Sequence, residues 1–226
     1  MNIILTGAGK GIGFETARNL ATEGTHKIIA VSRDISKLAA LNLPGLFPYF
    51  LDLEQKGYEQ KLVRFFRLHF DQVDVLINNA GYLVKKSFQE QSEEDFDRQF
   101  HVNVKAPFQL IQACLPYFKE QSHIVNISSM GGFQGSSKYP GLAVYSSAKA
   151  ALIAMTECLA LELKDRKISV NCLALGGVQT EMYSAAFPGA QASETPAGMA
   201  DFIARFALNG HQHFNGKVLP VTTSNP

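Results

Sequence analysis

Cysteine is scarce in this chain of 226 residues: Cys114, Cys158 and Cys172 are the whole complement. An odd number at no ligand-like spacing argues against a disulfide framework or a structural metal site. It reads instead as small apolar side chains in a reducing compartment. An excess of either charge is lacking too. Lys and Arg number 21 against 20 Asp and Glu, a net charge of +1. With no basic run to form a patch, nucleic acid and other polyanionic partners are excluded from the expectation. Long hydrophobic runs are also missing. The most apolar long stretch, Ala150 to Leu163, contains Glu157 and Glu162 and is too short to cross a bilayer. The opening Met1-Asn2-Ile3-Ile4-Leu5 reads as a strand and not as a charged leader with an apolar core. His211 and His213 lie close together without Cys or carboxylate beside them, so they read as loop residues, and no metal is expected. The cytoplasm is the default location.

What is present is a composition with 46% hydrophobic and 18% charged residues, ordinary for a folded globular protein. The length suits one sizeable core, so residues 1–226 are expected to form a single domain. Short apolar segments alternate with amphipathic ones. Strands are predicted at Asn2–Thr6, Lys27–Ser32, Leu46–Leu51, Val73–Asn78, His123–Ser128, Ile168–Leu173 and Lys217–Pro220. Helices are predicted at Gly11–Glu23, Gln55–Phe70, Glu93–Phe118, Val144–Leu163 and Pro196–Leu208. Strands separated by single helices need right-handed crossovers and a parallel sheet covered on both faces. The expected fold class is therefore α/β, a doubly wound Rossmann fold with a parallel sheet of about seven strands. Ligands of such sheets bind beyond the carboxyl ends of the strands. The segment Tyr183–Pro196, rich in Ser, Ala, Gly, Pro and Gln, shows no period and reads as a loop in the position of a lid.

Three groups of residues carry chemistry. Thr6-Gly7-Ala8-Gly9-Lys10-Gly11-Ile12-Gly13 joins the first strand to the first helix. Glycines there let the backbone approach a pyrophosphate, and the helix N-terminus offers free amides to it. This predicts dinucleotide binding. At the end of the second strand, Ser32 has no charge to repel a ribose 2′-phosphate, and the Arg33 fork suits one; Lys10 adds a second cation. NADP(H) is therefore expected over NAD(H). Asp34 is the competing ribose reader, one position beyond where a strand-end acid usually sits. Finally, Tyr145 and Lys149 are four positions apart, on one face of a helix. An ammonium beside a phenol is expected to lower the phenol's pKa from ~10 and make it a proton-transfer group for a carbonyl/alcohol pair.

In order and context these motifs resemble the short-chain dehydrogenase/reductase family along nearly the whole chain. The signatures are the glycines of TGxxxGxG, the Asn78-Asn79-Ala80-Gly81 motif, a strand ending Ser128-Ser129, and the Tyr145/Lys149 pair. The resemblance implies that Asp52 and Leu53 lie against the adenine, and Asn79, Ala80 and Gly81 along the adenosine ribose. It implies that Ser129 is the active-site serine, with Ser128 as local runner-up. Asn103 would bind a water that links Lys149 to solvent. Gly176 would belong to the nicotinamide-side loop, the Val178 backbone would meet the carboxamide, and Thr180 would contact the carboxamide or a phosphate, although Leu175 stands where the family usually has proline. The spacing from Ser129 to Tyr145 is longer than the family's commonest, so the Gly131–Leu142 loop should bulge. The implied activity is reduction of a small-molecule carbonyl. A 3-oxoacyl-thioester reductase with Arg64, Arg67 and Arg98 as a docking face is the alternative, and a non-catalytic NADP(H)-binding regulator is the alternative from another class. A homo-oligomer, dimer or tetramer, is expected, because apolar residues cover more than one face of the Tyr145 helix.

Overall fold

In a computed structural model, residues 1–223 are described. A continuous apolar run builds the first strand, β1 (Asn2–Thr6), and its side chains alternate in facing: Ile3 and Leu5 enter one core while Ile4 enters the other. The chain then runs through α1 (Gly11–Thr22), β2 (Lys27–Ser32), α2 (Ser36–Ala40), β3 (Leu46–Phe50), α3 (Tyr58–Phe66) and β4 (Val73–Asn78). The second half contains α4 (Glu93–Phe100), α5 (Ala106–Cys114), β5 (Phe118–Ser129), α6 (Ala143–Glu162), β6 (Ser169–Leu175), α7 (Glu181–Ala186), α8 (Pro196–Asn209) and β7 (Val218–Val221). The seven strands form one sheet in the order β3-β2-β1-β4-β5-β6-β7, and every pairing is parallel. This is the doubly wound fold, with its switch point between β1 and β4. One core lies under α1 and α8, and the other under α3 and α5.

The structure departs from the expected elements most clearly in its helices, and adds the short α2, which no period predicted. The helix expected over Glu93–Phe118 is broken into α4, a π-helical turn at His101–Lys105, and α5. Pro107 explains the break: it has no N–H to give the carbonyl of Asn103 four residues earlier. Phe118 then opens β5 and does not end a helix. The Gln55–Phe70 helix is trimmed to Tyr58–Phe66, entered through Gly57 at φ +73°. In the expected loop Tyr183–Pro196, the first residues belong to α7, capped by Thr180, whose hydroxyl accepts from the Tyr183 amide at 3.2 Å. The α6 helix keeps its expected length of 20 residues, shifted by one position, and is long and apolar enough by composition to cross a membrane. Its buried face, however, packs Val144, Ala148, Lys149, Leu152, Thr156 and Ala160 within the fold.

Buried polar groups fix the central strands. The Asn78 amide donates to Asn126 Oδ1 at 2.8 Å, and the Asn126 amide donates to Thr156 Oγ1 at 2.9 Å, which ties β4, β5 and α6 together. Such fully buried bonds are costly to break, so they hold the carboxyl ends of β4 and β5 in register with the helix that carries Tyr145.

Candidate active site

The carboxyl ends of the strands open into a cleft of about 910 Å³. Every predicted site residue lines it except Asn103, which is fully buried behind the wall.

At one end is the glycine-rich turn. Gly7 sits at φ +69°, and a Cβ there would lie 2.7 Å from Ala80 Cα. A Cβ on Gly13 would lie 2.2 Å from the Gly7 carbonyl. The turn is therefore pressed against the Asn79-Ala80-Gly81 segment with no space for side chains. Asn79 completes the joint: its amide donates to the carbonyls of Thr6 and Gly7 at 3.0 and 3.2 Å. No side chain caps α1 and its first turn carries no acid, so its leading amides are left for the cleft end, where the Glu181 carboxylate also lies, 3.7 Å from where a Gly11 Cβ would stand. A dinucleotide pyrophosphate fits this cradle of Gly9, Lys10, Gly11 and Ile12. Thr180 closes over it, its methyl carbon 3.2 Å from where a Gly11 Cβ would stand.

Ser32 and Arg33 line the same end. The Asp34 carboxylate is turned away to α2, where it accepts from the Ser36 amide and hydroxyl at 2.9 and 2.7 Å. Those bonds hold its pKa below the usual value. Its own amide donates to Ser32 Oγ at 3.2 Å. Asp52 is partly spent on its own turn, accepting from the Glu54 amide at 3.0 Å. Leu53 is fixed from behind, its carbonyl 2.8 Å from His101 Nε2.

Deeper in the cleft, Ser129, Tyr145 and Lys149 converge. Ser128, the runner-up, is buried and spends its hydroxyl proton on the Lys149 carbonyl at 2.9 Å. Ser129 Oγ accepts from the Gly131 amide at 3.1 Å and lies beside the Tyr145 phenol. The Lys149 ammonium donates to the Ile127 carbonyl at 2.8 Å and lies 5.8 Å from the Tyr145 ring centroid. Burial dominates both ionisations. It pushes the Tyr145 phenol up to about 12, against a smaller lowering by Ser129, and pushes Lys149 down to about 8. The expected depression of the phenol is thus not the net result in this state, because desolvation outweighs the hydrogen bond from Ser129. At neutral pH the phenol holds its proton and Lys149 is mostly charged, the arrangement a proton donor needs.

Asn103 sits at 0% exposure in the π-helical turn. Its amide donates to the carbonyls of Tyr82 and Gln99 at 2.7 and 2.8 Å, and its oxygen accepts from the Tyr82 amide at 3.1 Å. Its side chain therefore braces the segment after Gly81. Gly176 and Val178 follow β6, and a Cβ on Gly176 would meet Thr222 Oγ1 at 2.6 Å. The Gly131–Leu142 loop is held by Lys138, whose ammonium donates to the carbonyls of Gly131 and Phe133 at 2.9 and 2.7 Å. Across the cleft mouth, Phe187 meets Tyr139 edge-on at 5.8 Å and lies 4.1 Å under the Lys85 ammonium.

A family model for short chain dehydrogenases matches residues 1–191. The chain belongs to the short-chain dehydrogenase family. Among its relatives, the 3-oxoacyl-[acyl-carrier-protein] reductase FabG of Thermotoga maritima is 35% identical over 189 residues, covering 79% of this chain and 74% of that one. Carbonyl reductase [NADPH] 2 of Sus scrofa is 37% identical over 177 residues, covering 76% and 69%. A short-chain dehydrogenase/reductase from Serratia marcescens superposes with a TM-score of 0.85 at 25% identity, covering 97% and 95% of the two chains. A short-chain dehydrogenase from Burkholderia cenocepacia, solved in complex with NADP, shares the fold with a TM-score of 0.87 at 24% identity and covers 99% and 96%. Family membership makes the chain an oxidoreductase that uses a nicotinamide dinucleotide on small molecules.

Sequence reasoning missed Glu54, Tyr82, His101 and the true place of Arg98. Arg98 grips Glu54 at 2.7 and 3.0 Å and stacks 4.2 Å over the Tyr82 ring, contacts that commit its guanidinium within this chain. No spacing in the sequence signals these contacts, which join segments 16 to 48 residues apart.

Proposed function

We propose that this short-chain dehydrogenase is an NADPH-dependent carbonyl reductase, working as one domain and reversible in principle. The observation that carries the reading is the convergence of Ser129, Tyr145 and a buried Lys149 at the depth of a cleft whose far end has a phosphate cradle. When bound, the nicotinamide supplies or accepts the hydride. Ser129 donates a hydrogen bond to the substrate oxygen and stabilises the negative charge that develops there. Tyr145 delivers its proton to that oxygen in reduction and removes it in oxidation. Lys149 keeps a positive charge beside the phenol as its proton leaves and holds the nicotinamide ribose. Asn103 braces Tyr82 and, through it, the wall beside Gly81. The loop carrying Phe187, with Tyr139 and Lys85, excludes water from the mouth.

The preference for NADPH rests on Ser32, Arg33 and Lys10 at the ribose end and on the diversion of the Asp34 carboxylate to Ser36. A carboxylate aimed at the ribose would repel a 2′-phosphate; Asp34 is aimed elsewhere. The resemblance to the Thermotoga maritima enzyme favours a second reading, reduction of 3-oxoacyl thioesters. With Arg98 committed to Glu54, only the exposed Arg64 and Arg67 of the earlier face remain for an acidic carrier. A non-catalytic role is disfavoured because Ser129, Tyr145 and Lys149 are all in place. Oxidation of NADPH against aldehydes, diketones and acetoacetyl thioesters tests these readings. Turnover of the first two classes supports the carbonyl reductase, and turnover of thioesters alone supports the second reading. No turnover of any, with tight NADPH binding, overturns both.

A further inference from the structure

The cofactor end of the cleft contains an acid that its sequence position did not announce. Glu54, 29% exposed, lines the cleft beside Arg33 and accepts from Arg33 Nη1 at 3.2 Å. Taken alone, this pair would oppose recognition of a 2′-phosphate. The carboxylate would engage the guanidinium that the phosphate needs, and would repel the incoming dianion.

A second arginine changes the balance. Arg98 on α4 stands behind the cleft wall and holds both oxygens of Glu54, with Nε to Oε1 at 2.7 Å and Nη2 to Oε2 at 3.0 Å. This two-point grip is the strongest geometry available to a carboxylate, and it neutralises the charge. Arg98 is itself immobilised. Its Nη1 donates to the Tyr82 hydroxyl at 3.1 Å, and its guanidinium lies 4.2 Å over the Tyr82 ring. Tyr82 is in turn fixed through its backbone by Asn103. Arg33 is left with one bond to an already neutralised carboxylate, so its remaining donors can face the cleft.

We infer that Arg98 is a specificity-determining positioning residue: by anchoring and neutralising Glu54, it leaves Arg33 available to a phosphate on the adenosine ribose. This rests on the NADP(H) reading, and the test separates the two. Without Arg98, Glu54 would turn its full charge and both oxygens onto Arg33.

The experiment is calorimetric titration of the whole chain with adenosine 2′,5′-bisphosphate and with adenosine 5′-monophosphate at fixed ionic strength. Neither probe requires turnover. The wild type is expected to bind the bisphosphate at least about tenfold more tightly, the scale of one charge-assisted contact. Arg98→Met should remove about tenfold of that preference while leaving the affinity for the monophosphate unchanged. Adding Glu54→Gln to Arg98→Met should restore the preference, because the acid that Arg98 controls is then gone. Glu54→Gln alone, which keeps the fold if the Arg98 variant does not, should hold or raise the preference. A wild type without preference overturns the NADP(H) reading itself. A wild type with preference that Arg98→Met does not alter overturns the Arg98 inference alone. So does a double variant that fails to recover, or a fall in preference in Glu54→Gln.

Discussion

At the scale of single residues, burial decides more than sequence spacing does. The Tyr145/Lys149 spacing was legible as one helical face, but the net direction of the phenol's shift was not, because desolvation depends on what surrounds it. The sign gives a testable pH profile. Lys149, pushed down to about 8, is charged below that pH and neutral above it, whereas Tyr145, pushed up to about 12, stays protonated throughout. Reductive kcat/KM should therefore be flat below pH 8 and fall above it with an apparent pKa near 8. A profile flat to pH 10 would mean the lysine charge is not needed. Cofactor choice also belongs to single side chains. Ser32→Asp with Arg33→Ala should move the kcat/KM ratio from NADPH toward NADH. The lost charge-assisted contact costs ~1.5–3 kcal/mol, about one to two decades. Lys10 should retain some NADPH binding in that variant. A wild type already preferring NADH would refute the strand-end argument.

At the scale of elements, strands read well where both faces are buried. Segments β1, β2 and β4 match the apolar runs residue for residue, because turn-forming residues bound each run. Helices read less well where backbone chemistry overrides periodicity. The apolar pattern of 93–118 continues through a point where Pro107 cannot bond to Asn103, so one expected helix becomes three pieces. The short α2 and α7 are set by side-chain contacts, from Asp34 to Ser36 and from Thr180 to the Tyr183 amide, and not by any period. The π-helical turn gives an element-scale prediction. Asn103→Ala removes three bonds from a buried side chain to the backbone of Tyr82 and Gln99 and should cost ~1–3 kcal/mol in denaturant unfolding. Unchanged stability would mean that the Gly81–Tyr82 segment is held by other contacts.

At the scale of the whole molecule, the order of the sheet explains why residues from Gly7 to Thr180 share one cleft. Parallel strands place all their following loops at one edge, so a fold legible from β/α alternation already predicts a convergent site. The Arg33–Glu54–Arg98–Tyr82 chain was not legible, since it joins loop and helix residues only through that convergence. Apolar surface remains at Phe96 on α4, Phe108 on α5 and Leu161 on α6, exposed by 45%, 48% and 76%. We predict that these helices pair with further copies of the chain. Light scattering at micromolar concentration should then give two or four times 24.8 kDa, and a monomer mass would refute the pairing. The central claim is that Tyr145 moves the substrate proton in an NADPH-dependent reduction. Its most direct test compares wild type and Tyr145→Phe in NADPH oxidation with the best carbonyl substrate, alongside NADPH affinity. The account predicts a loss of about 10²–10⁴-fold in kcat with affinity nearly unchanged; comparable turnover in the two proteins would contradict it.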